Sequence, residues 1–257
     1  MTRMLLILAV LLIACPLAQA SLADNFESYA NTAALSGPYT QFYPANPFLL
    51  DTTKGYLSSQ SIQSGVHANT QNRMWINLPG GPIAATDAKP IKVEFMIDID
   101  TNIWSVREYI EIRSYAGGAY NAGALNQLLA LGFTSSGVDT SRINQRILYG
   151  PGAGWGNLTA AYATRASVAA SGNDWTKLGM LIKSNTVEYY VNDNLDSTKG
   201  INPGLLYDSI VIGSGLSTTV PVWFDNLKVE VVPEPSSLLA LGTGLIGLVG
   251  LARRRRA

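Results

Sequence analysis

Cysteine and histidine are nearly absent from this chain, and their scarcity excludes several kinds of site. The 257 residues include one cysteine, Cys15, and one histidine, His67. Zinc sites are built mostly from these two residue types, and a serine nucleophile needs a general base beside it. We therefore expect no zinc site and no serine hydrolase of that type. Calcium needs only oxygen ligands, but the Asn and Asp residues of 192–196 match no calcium loop, and we assign no metal and no cofactor. Because Cys15 is the only cysteine, the chain can form no internal disulfide, and a cut after Ala20 would leave the mature protein without a thiol.

Excess positive charge is also missing once the two ends are set aside. The whole chain has 18 basic and 18 acidic side chains, but Arg3 and Arg253–Arg256 lie at the ends. Residues 21–232 keep 13 basic and 17 acidic side chains, a net charge of −4. Proteins that bind nucleic acid neutralise phosphates with a basic surface. The composition therefore argues against a nucleic-acid partner.

Long apolar runs occur only near the two ends. At the N-terminus, Arg3 precedes the apolar run Met4–Ala14, which Ala18-Gln19-Ala20 follows. This order of charge, apolar run and small residues is typical of a secretory signal peptide. We expect residues 1–20 to be removed by signal peptidase, so that the mature chain begins at Ser21.

The N-terminal segment also allows a second interpretation. Leu12-Ile13-Ala14-Cys15 resembles a lipobox, in which Cys15 would be lipidated and become the new N-terminus. Pro16 directly after the cysteine disfavours that interpretation. A cut after Ala20 remains the expectation, with lipidation of Cys15 as the alternative.

The C-terminus joins a short motif, an apolar segment and a basic end. Pro233-Glu234-Pro235 is followed by seventeen uncharged residues, Ser236–Ala252, and then by Arg253-Arg254-Arg255-Arg256. Seventeen residues are near the minimum for a helix that crosses a hydrocarbon core about 30 Å thick. Arginines next to a membrane helix tend to stay on the cytoplasmic side, which would place the preceding residues outside.

Residues 233–257 resemble the PEP-CTERM sorting signal of Gram-negative bacteria, which has these three parts in this order. The resemblance implies a protein anchored in the inner membrane with its domain in the periplasm. An exosortase would then process it near Pro233, after which it would reside at the cell surface or outside the cell. It also implies an association with exopolysaccharide and biofilm. The alternative is an ordinary tail anchor that begins with Pro-Glu-Pro.

The residues between the ends, 21–232, are predicted to form one all-β domain. In Ile91–Asp100 the apolar residues alternate with polar ones, which is typical of a half-buried strand. Turn-rich segments such as Pro79–Pro82 separate the candidate strands, and only 121–131 leaves room for a helical turn. The further strands are expected at 55–62, 74–78, 106–113, 127–134, 142–149, 175–183, 187–192, 208–213 and 222–232. Many short strands of this kind favour an antiparallel β-sandwich or jelly roll.

One hairpin resembles those of concanavalin A-like and laminin-G-like sandwiches. Trp175 opens its first strand, Thr186–Asn192 forms the second, and Asn194 stands where glycine is usual. Asp24–Glu27 and Trp223–Val229 resemble the first and last strands of such sandwiches, which pair beside each other. The resemblance concerns the fold, and fold alone does not give function.

Carboxylates do not form a recognisable catalytic motif. Glycoside hydrolases on such sandwiches place paired carboxylates at a fixed spacing on one strand. Two groups of carboxylates in this chain lack that spacing: Glu94, Asp98 and Asp100, and then Glu108 and Glu111. We expect the first three to form a solvated strand face. A carbohydrate-active enzyme, either a hydrolase or a polysaccharide lyase with another arrangement, remains the alternative.

The aromatic residues suggest a binding role. Exposed rings can stack on sugars, and five aromatics near loops or on polar strand faces are candidate carbohydrate contacts: Trp104, Tyr109, Tyr115, Tyr120 and Trp155. Trp155 lies in the glycine-rich segment 150–156, which we expect to be a flexible loop. Trp75, Trp175, Trp223 and Tyr189 are expected in the core. The sequence therefore favours an exported, non-enzymatic protein that contacts exopolysaccharide, with a ligand-free structural envelope protein as a further alternative.

Overall fold

The computed structural model describes residues 21–43, 45–65, 72–99, 106–135, 138–161, 163–169, 175–214 and 220–232. Several residues singled out above lie outside this range: Ala18 and Ala20, Pro233, Glu234 and Pro235, Arg253–Arg256, His67, Asp100 and Trp104. The expected signal peptide and C-terminal helix therefore lie outside it too. Within the described ranges, no helix has the length and apolar character needed to cross a bilayer.

Seventeen strands and two short helices make up the described elements. The helices are Thr32–Leu35 and Arg165–Ala169. The strands are β1 Leu22–Asp24, β2 Thr40–Gln41, β3 Leu49–Asp51, β4 Ser61–Gln63, β5 Asn72–Asn77, β6 Ile83–Ala84, β7 Ile91–Ile99, β8 Tyr109–Tyr115, β9 Leu125–Gly132, β10 Asn144–Leu148, β11 Gly154–Asn157, β12 Thr176–Ile182, β13 Thr186–Val191, β14 Asn194–Gly200, β15 Leu206–Tyr207, β16 Ser209–Ser214 and β17 Val222–Val231.

These strands form two large antiparallel sheets and one small pair. The eight-stranded sheet has the order β14-β13-β12-β7-β17-β4-β3, and β1 pairs with β17 as its eighth strand. The seven-stranded sheet has the order β11-β10-β9-β8-β16-β5-β2, and β15 pairs with β6. The all-β, antiparallel sandwich expected from the sequence is confirmed.

The core lies between the two sheets because alternate residues of each central strand are apolar. β7 contributes Ile91, Val93, Phe95, Ile97 and Ile99, all buried in one cluster with apolar residues of β8, β9 and β16. The predicted alternation of β7 is therefore confirmed on its inner face. Burial of a large aliphatic side chain contributes about 1.5–3 kcal/mol, so this cluster is the main source of stability.

Strand pairing confirms the two local resemblances. β1 lies antiparallel to β17, with Leu22 opposite Val229, and β12 forms a hairpin with β13. The next turn, from β13 to β14, has positive φ at Asn192 and Asp193. A two-residue turn of this kind needs positive φ at both positions, which asparagine and aspartate tolerate. Asn194 already belongs to β14, so glycine is not required there.

One expectation about a strand surface is wrong. Asp98, predicted on a solvated face, is 1% exposed. Its carboxylate is paired with the ammonium of Lys54 at 3.0 Å, so the long lysine side chain covers that part of the sheet. In the segment 121–131, which left room for a helical turn, β9 begins at Leu125, in agreement with the strand predicted at 127–134.

Candidate functional site

The outer face of the seven-stranded sheet collects the polar and aromatic residues of its strands. In β8, Ile110 and Ile112 enter the core, which turns Glu111 and its alternating neighbours outward. Strand register then sets a transverse row across the sheet. It runs from Trp75 through Val211, Glu111, Ala130 and Arg146 to Trp155. Five strand intervals of about 4.8 Å place Trp75 and Trp155 roughly 24 Å apart.

An ion pair occupies the middle of this row. Arg113 Nε donates to Glu111 Oε2 over 2.6 Å, and a terminal guanidinium nitrogen contacts the same oxygen. The side chains of Arg113 and Glu111 are 7% and 0% exposed. Burial acts to lower the pKa of Arg113, but Glu111 and Tyr115 outweigh it and hold that pKa above its usual range. Arg113 Nη1 also donates to Tyr115 Oη over 2.8 Å, which fixes the tyrosine.

At one end of the row, Trp75 and Tyr120 form a stacked pair. Their ring centroids are 4.5 Å apart and their planes differ by 16°. Tyr120 N–H donates to Asn77 Oδ1 over 2.9 Å, and the Arg113 guanidinium carbon lies 5.3 Å from the Tyr120 ring centroid. Both stacked rings are half-buried. The expectation that Trp75 is a core residue is therefore wrong, because Met74 takes the inward position on β5. We call Trp75, Tyr120, Arg113, Tyr115 and Glu111 the Trp75 cluster.

At the other end, Trp155 has two arginines near its ring. The guanidinium carbons of Arg146 and Arg107 lie 5.0 Å and 5.6 Å from its ring centroid. Tyr109 meets the same indole edge to face at 5.7 Å. Trp155 belongs to β11, which pairs with β10, so the expected flexible loop is in part a strand. We call Trp155, Tyr109, Arg107 and Arg146 the Trp155 cluster.

The structure places the sequence candidates at different depths. Tyr120 and Trp155 are half-buried, whereas Tyr109 is 1% and Tyr115 is 7% exposed. Tyr109 and Tyr115 therefore support the outer rings from beneath. Nothing in the sequence pattern selects Arg107 and Arg146, since their nearness to Trp155 depends on the pairing of β10 with β11 and of β8 with β9.

Glu108 is a buried carboxyl just before β8, paired through its backbone with Phe133 of the core. It is fully buried, and neither of its oxygens has a hydrogen-bond partner. Burial raises the pKa of Glu108 well above its usual value, and the nearby charge of Arg73 only partly offsets this. At neutral pH, Glu108 therefore adds less negative charge than an exposed glutamate would.

The remaining acidic candidates do not join this face. Glu94 lies on β7 in the other sheet, where Lys92 and Lys177 contact its carboxylate at 2.8 Å and 2.7 Å. Burial acts to raise the pKa of Glu94, but hydrogen bonds from the two lysines lower it on balance. Across the described part of the chain, no three histidine, cysteine, aspartate or glutamate residues are grouped closely enough to hold a metal ion.

Comparison with known families concerns the C-terminus. Residues 231–256 match the family described as a PEP-CTERM protein-sorting motif. The chain carries a PEP-CTERM sorting motif. Such a motif implies an exported protein that is anchored in a membrane until an exosortase processes it. The PEP-CTERM match covers the tail alone, and no curated protein matches the chain as a whole.

The domain in front of the PEP-CTERM motif is similar in fold to several solved structures. The T. cruzi calreticulin globular domain aligns at a TM-score of 0.56 and 10% identity, covering 91% of this chain and 95% of that domain. A sialidase aligns at 0.53 and 12% identity over 82% of this chain, which spans 18% of the sialidase. The transglycosylase Crh5 aligns at 0.50 and 10% identity, covering 84% and 88% of the two chains. At these identities the likeness establishes a concanavalin A-like sandwich and no activity.

Proposed function

We propose that this protein is an exported, non-catalytic surface or matrix protein that binds exopolysaccharide through the outer face of its seven-stranded sheet. One observation carries the proposal: two half-exposed aromatic platforms lie on the same face, each backed by a buried tyrosine and a guanidinium group. Tryptophan and tyrosine combine a large apolar surface with a polar edge, which suits contact with the faces and hydroxyls of sugars.

The spacing of the platforms supports a polymer as the ligand. Trp75 and Trp155 occupy opposite ends of one row, roughly 24 Å apart by strand spacing. A monosaccharide would reach only one of them, whereas an extended glycan would contact both. Two weak contacts on one chain reinforce each other through their high effective concentration. The proposed ligand is therefore a polysaccharide chain laid across the strands.

Binding without catalysis fits the state of the central carboxylate. Glu111 is fully buried and paired with Arg113, which disfavours a role as a nucleophile or as a proton donor. The second candidate function is a carbohydrate-active enzyme, and the raised pKa of the buried Glu108 favours it. Release of reducing ends by the wild-type protein, lost in Glu111→Gln or Glu108→Gln, would establish the enzyme and overturn the binding protein. Glu94→Gln, on the other sheet, is the control.

Retention on the polysaccharide of the producing cell tests the binding role. The processed protein should be retarded in affinity electrophoresis, and Trp155→Ala and Trp75→Ala should each weaken retention about tenfold, as loss of one stacking contact implies. Trp175→Ala is the matched control, because Trp175 is half-buried but contacts Tyr56, away from this face. Absence of retention across a broad glycan panel would instead support the ligand-free structural protein.

The intact mass of the protein recovered from cells and medium tests its export and processing. We expect a chain that begins at Ser21 and ends near Pro233, without Arg253–Arg256. A mass that includes the four arginines would indicate an ordinary tail anchor and would contradict processing by an exosortase. A lipid increment on Cys15 would indicate a lipoprotein.

A further inference from the structure

The Trp155 cluster is positively charged, although the domain as a whole is negatively charged. Residues 21–232 have a net charge of −4, yet the outer face of the seven-stranded sheet presents four arginines, Arg73, Arg107, Arg113 and Arg146. Among the residues of its seven strands the one carboxylate is that of Glu111, which Arg113 neutralises. Among the ion pairs of the described residues, none includes Arg107 or Arg146. Two half-exposed cations therefore flank Trp155 without a protein anion.

Both guanidinium groups lie within cation–π distance of the Trp155 ring. An arginine over an indole uses its planar face, while its N–H donors point outward in the plane. Arg107 Nε is buried and has no hydrogen-bond acceptor, so this guanidinium group is not held by another protein group through that nitrogen. Cross-strand pairing fixes Arg146 beside Trp155, so its position does not depend on a mobile loop. The cluster thus offers oriented donors, already partly desolvated, next to an aromatic platform.

We propose that the glycan bound here is a polyuronate, whose carboxylates are held by Arg107 and Arg146 while a sugar ring stacks on Trp155. This inference rests on the proposed function and adds the chemical class of the ligand. A carboxylate matches the forked donors of arginine in two parallel hydrogen bonds. A neutral glycan would use the aromatic platform but would leave both cations unmatched. The ring and the acid must occur in the same residue, which is what a uronic acid provides.

Binding of the processed protein to matched polymers tests this proposal. The probes are polygalacturonate, the same polymer after reduction of its carboxyl groups, a heparin-type sulfated glycan and single-stranded DNA. We expect polygalacturonate to bind about tenfold or more tightly than its reduced form, as charge-assisted hydrogen bonds imply. Arg107→Gln and Arg146→Gln should each remove most of that difference. Lys89→Gln removes a positive charge from an exposed loop elsewhere and is the control.

Arg146→Lys separates oriented recognition from simple charge attraction. Lysine keeps the charge but loses the fork, so the preference for polygalacturonate should fall nearly as far as in Arg146→Gln. Thermal unfolding of each variant confirms that the fold is kept. If Arg146→Lys binds like wild type, bidentate recognition of a carboxylate is wrong.

The remaining outcomes distinguish the two proposals. Equal binding of native and reduced polymer, abolished in both cases by Trp155→Ala, would leave the polysaccharide role standing and overturn the uronate. If the sulfated glycan binds more tightly than polygalacturonate, the arginines recognise sulfate and the uronate proposal is wrong. If DNA binds more tightly than polygalacturonate, both the uronate proposal and the polysaccharide role are wrong. Failure to bind any of the four polymers would overturn the uronate, whereas the polysaccharide role is decided by retention on the polymer of the producing cell.

Discussion

Trp75 and Tyr120 lie far apart in the sequence but stack with their ring centroids 4.5 Å apart. The stack joins strand β5 to the segment between β8 and β9, and the hydrogen bond from Tyr120 N–H to Asn77 Oδ1 fixes its register. Tyr115 meets Tyr120 edge to face at 5.5 Å, so the pair also has a support from beneath. One platform of the proposed binding face is therefore held by a tertiary contact.

The Trp75–Tyr120 stack should contribute a measurable coupling energy to folding. A double-mutant cycle of Trp75→Ala and Tyr120→Ala should give about 0.5–1.5 kcal/mol in the free energy of urea unfolding, as aromatic pairs do. Trp75→Ala combined with Tyr56→Ala, whose ring contacts Trp175 instead, should be additive. A coupling near zero for the stacked pair would contradict a supporting role.

Removal of one partner of the Glu111–Arg113 ion pair should lower the free energy of unfolding. Arg113→Met leaves Glu111 buried without its cation, and we expect the free energy of unfolding to fall by about 3–5 kcal/mol. The cross-strand neighbours of Glu111 are Val211 and Ala130, so the site accepts an apolar side chain. The double variant Glu111→Leu with Arg113→Met should regain most of the loss. Equal instability of single and double variants would show that the pair is not the cause.

Glu108 should make stability fall as the pH rises. Because burial raises the pKa of Glu108 in the folded state, the folded protein holds a proton that the unfolded chain releases above its ordinary pKa of about 4.3. The free energy of unfolding then decreases with pH above that value, by up to about 1.4 kcal/mol per unit. Glu108→Gln should make this slope shallower in urea unfolding from pH 5 to pH 8.

The slope should not vanish in Glu108→Gln. Burial also raises the pKa values of Asp208 and Asp225, and both remain in the variant. An unchanged slope would mean that Glu108 ionises in the folded protein, which would contradict its placement away from hydrogen-bond donors.

Two glycines with positive φ should respond differently to the same substitution. A Cβ at Gly213, where φ is +104°, would meet the backbone oxygen of Asn72 and the ring of Phe48, whereas one at Gly204, where φ is +71°, meets nothing within 4 Å. We expect Gly204→Ala to lower the free energy of unfolding by about 1–2 kcal/mol through backbone strain alone. Gly213→Ala should cost about 2 kcal/mol more, because the strands must separate. Equal losses would show that β16 and β5 can move apart freely.

Local periodicity was sufficient to predict the sandwich, because alternating apolar residues in each central strand identify the face that packs in the core. Alternation placed Ile91 to Ile99 inward on β7 and Ile110 and Ile112 inward on β8, and the structure agrees. Alternation predicts which side of the sheet a side chain faces, but it does not predict whether another side chain buries it there. Asp98 points outward as predicted and is nevertheless buried under Lys54.

The candidate site was harder to predict because it depends on strand order. Trp75 has apolar neighbours on both sides in β5, which hid its outward position. Gly154 and Gly156 made β11 resemble a loop, although pairing with β10 holds it as a strand. Arg107, Arg146 and Trp155 come from three separate segments. Only the order β11-β10-β9-β8 brings them together.

The pairing of β1 with β17 brings the entry and exit of the domain to one place. β1 begins at Leu22, opposite Val229, and β17 ends at Val231. Adjacent strands lie about 5 Å apart, so the chain enters and leaves the domain almost at the same point. The two ends of the domain therefore lie on one side of the sheet edge formed by β1 and β17. A domain held at both ends can complete this sheet without displacing a strand.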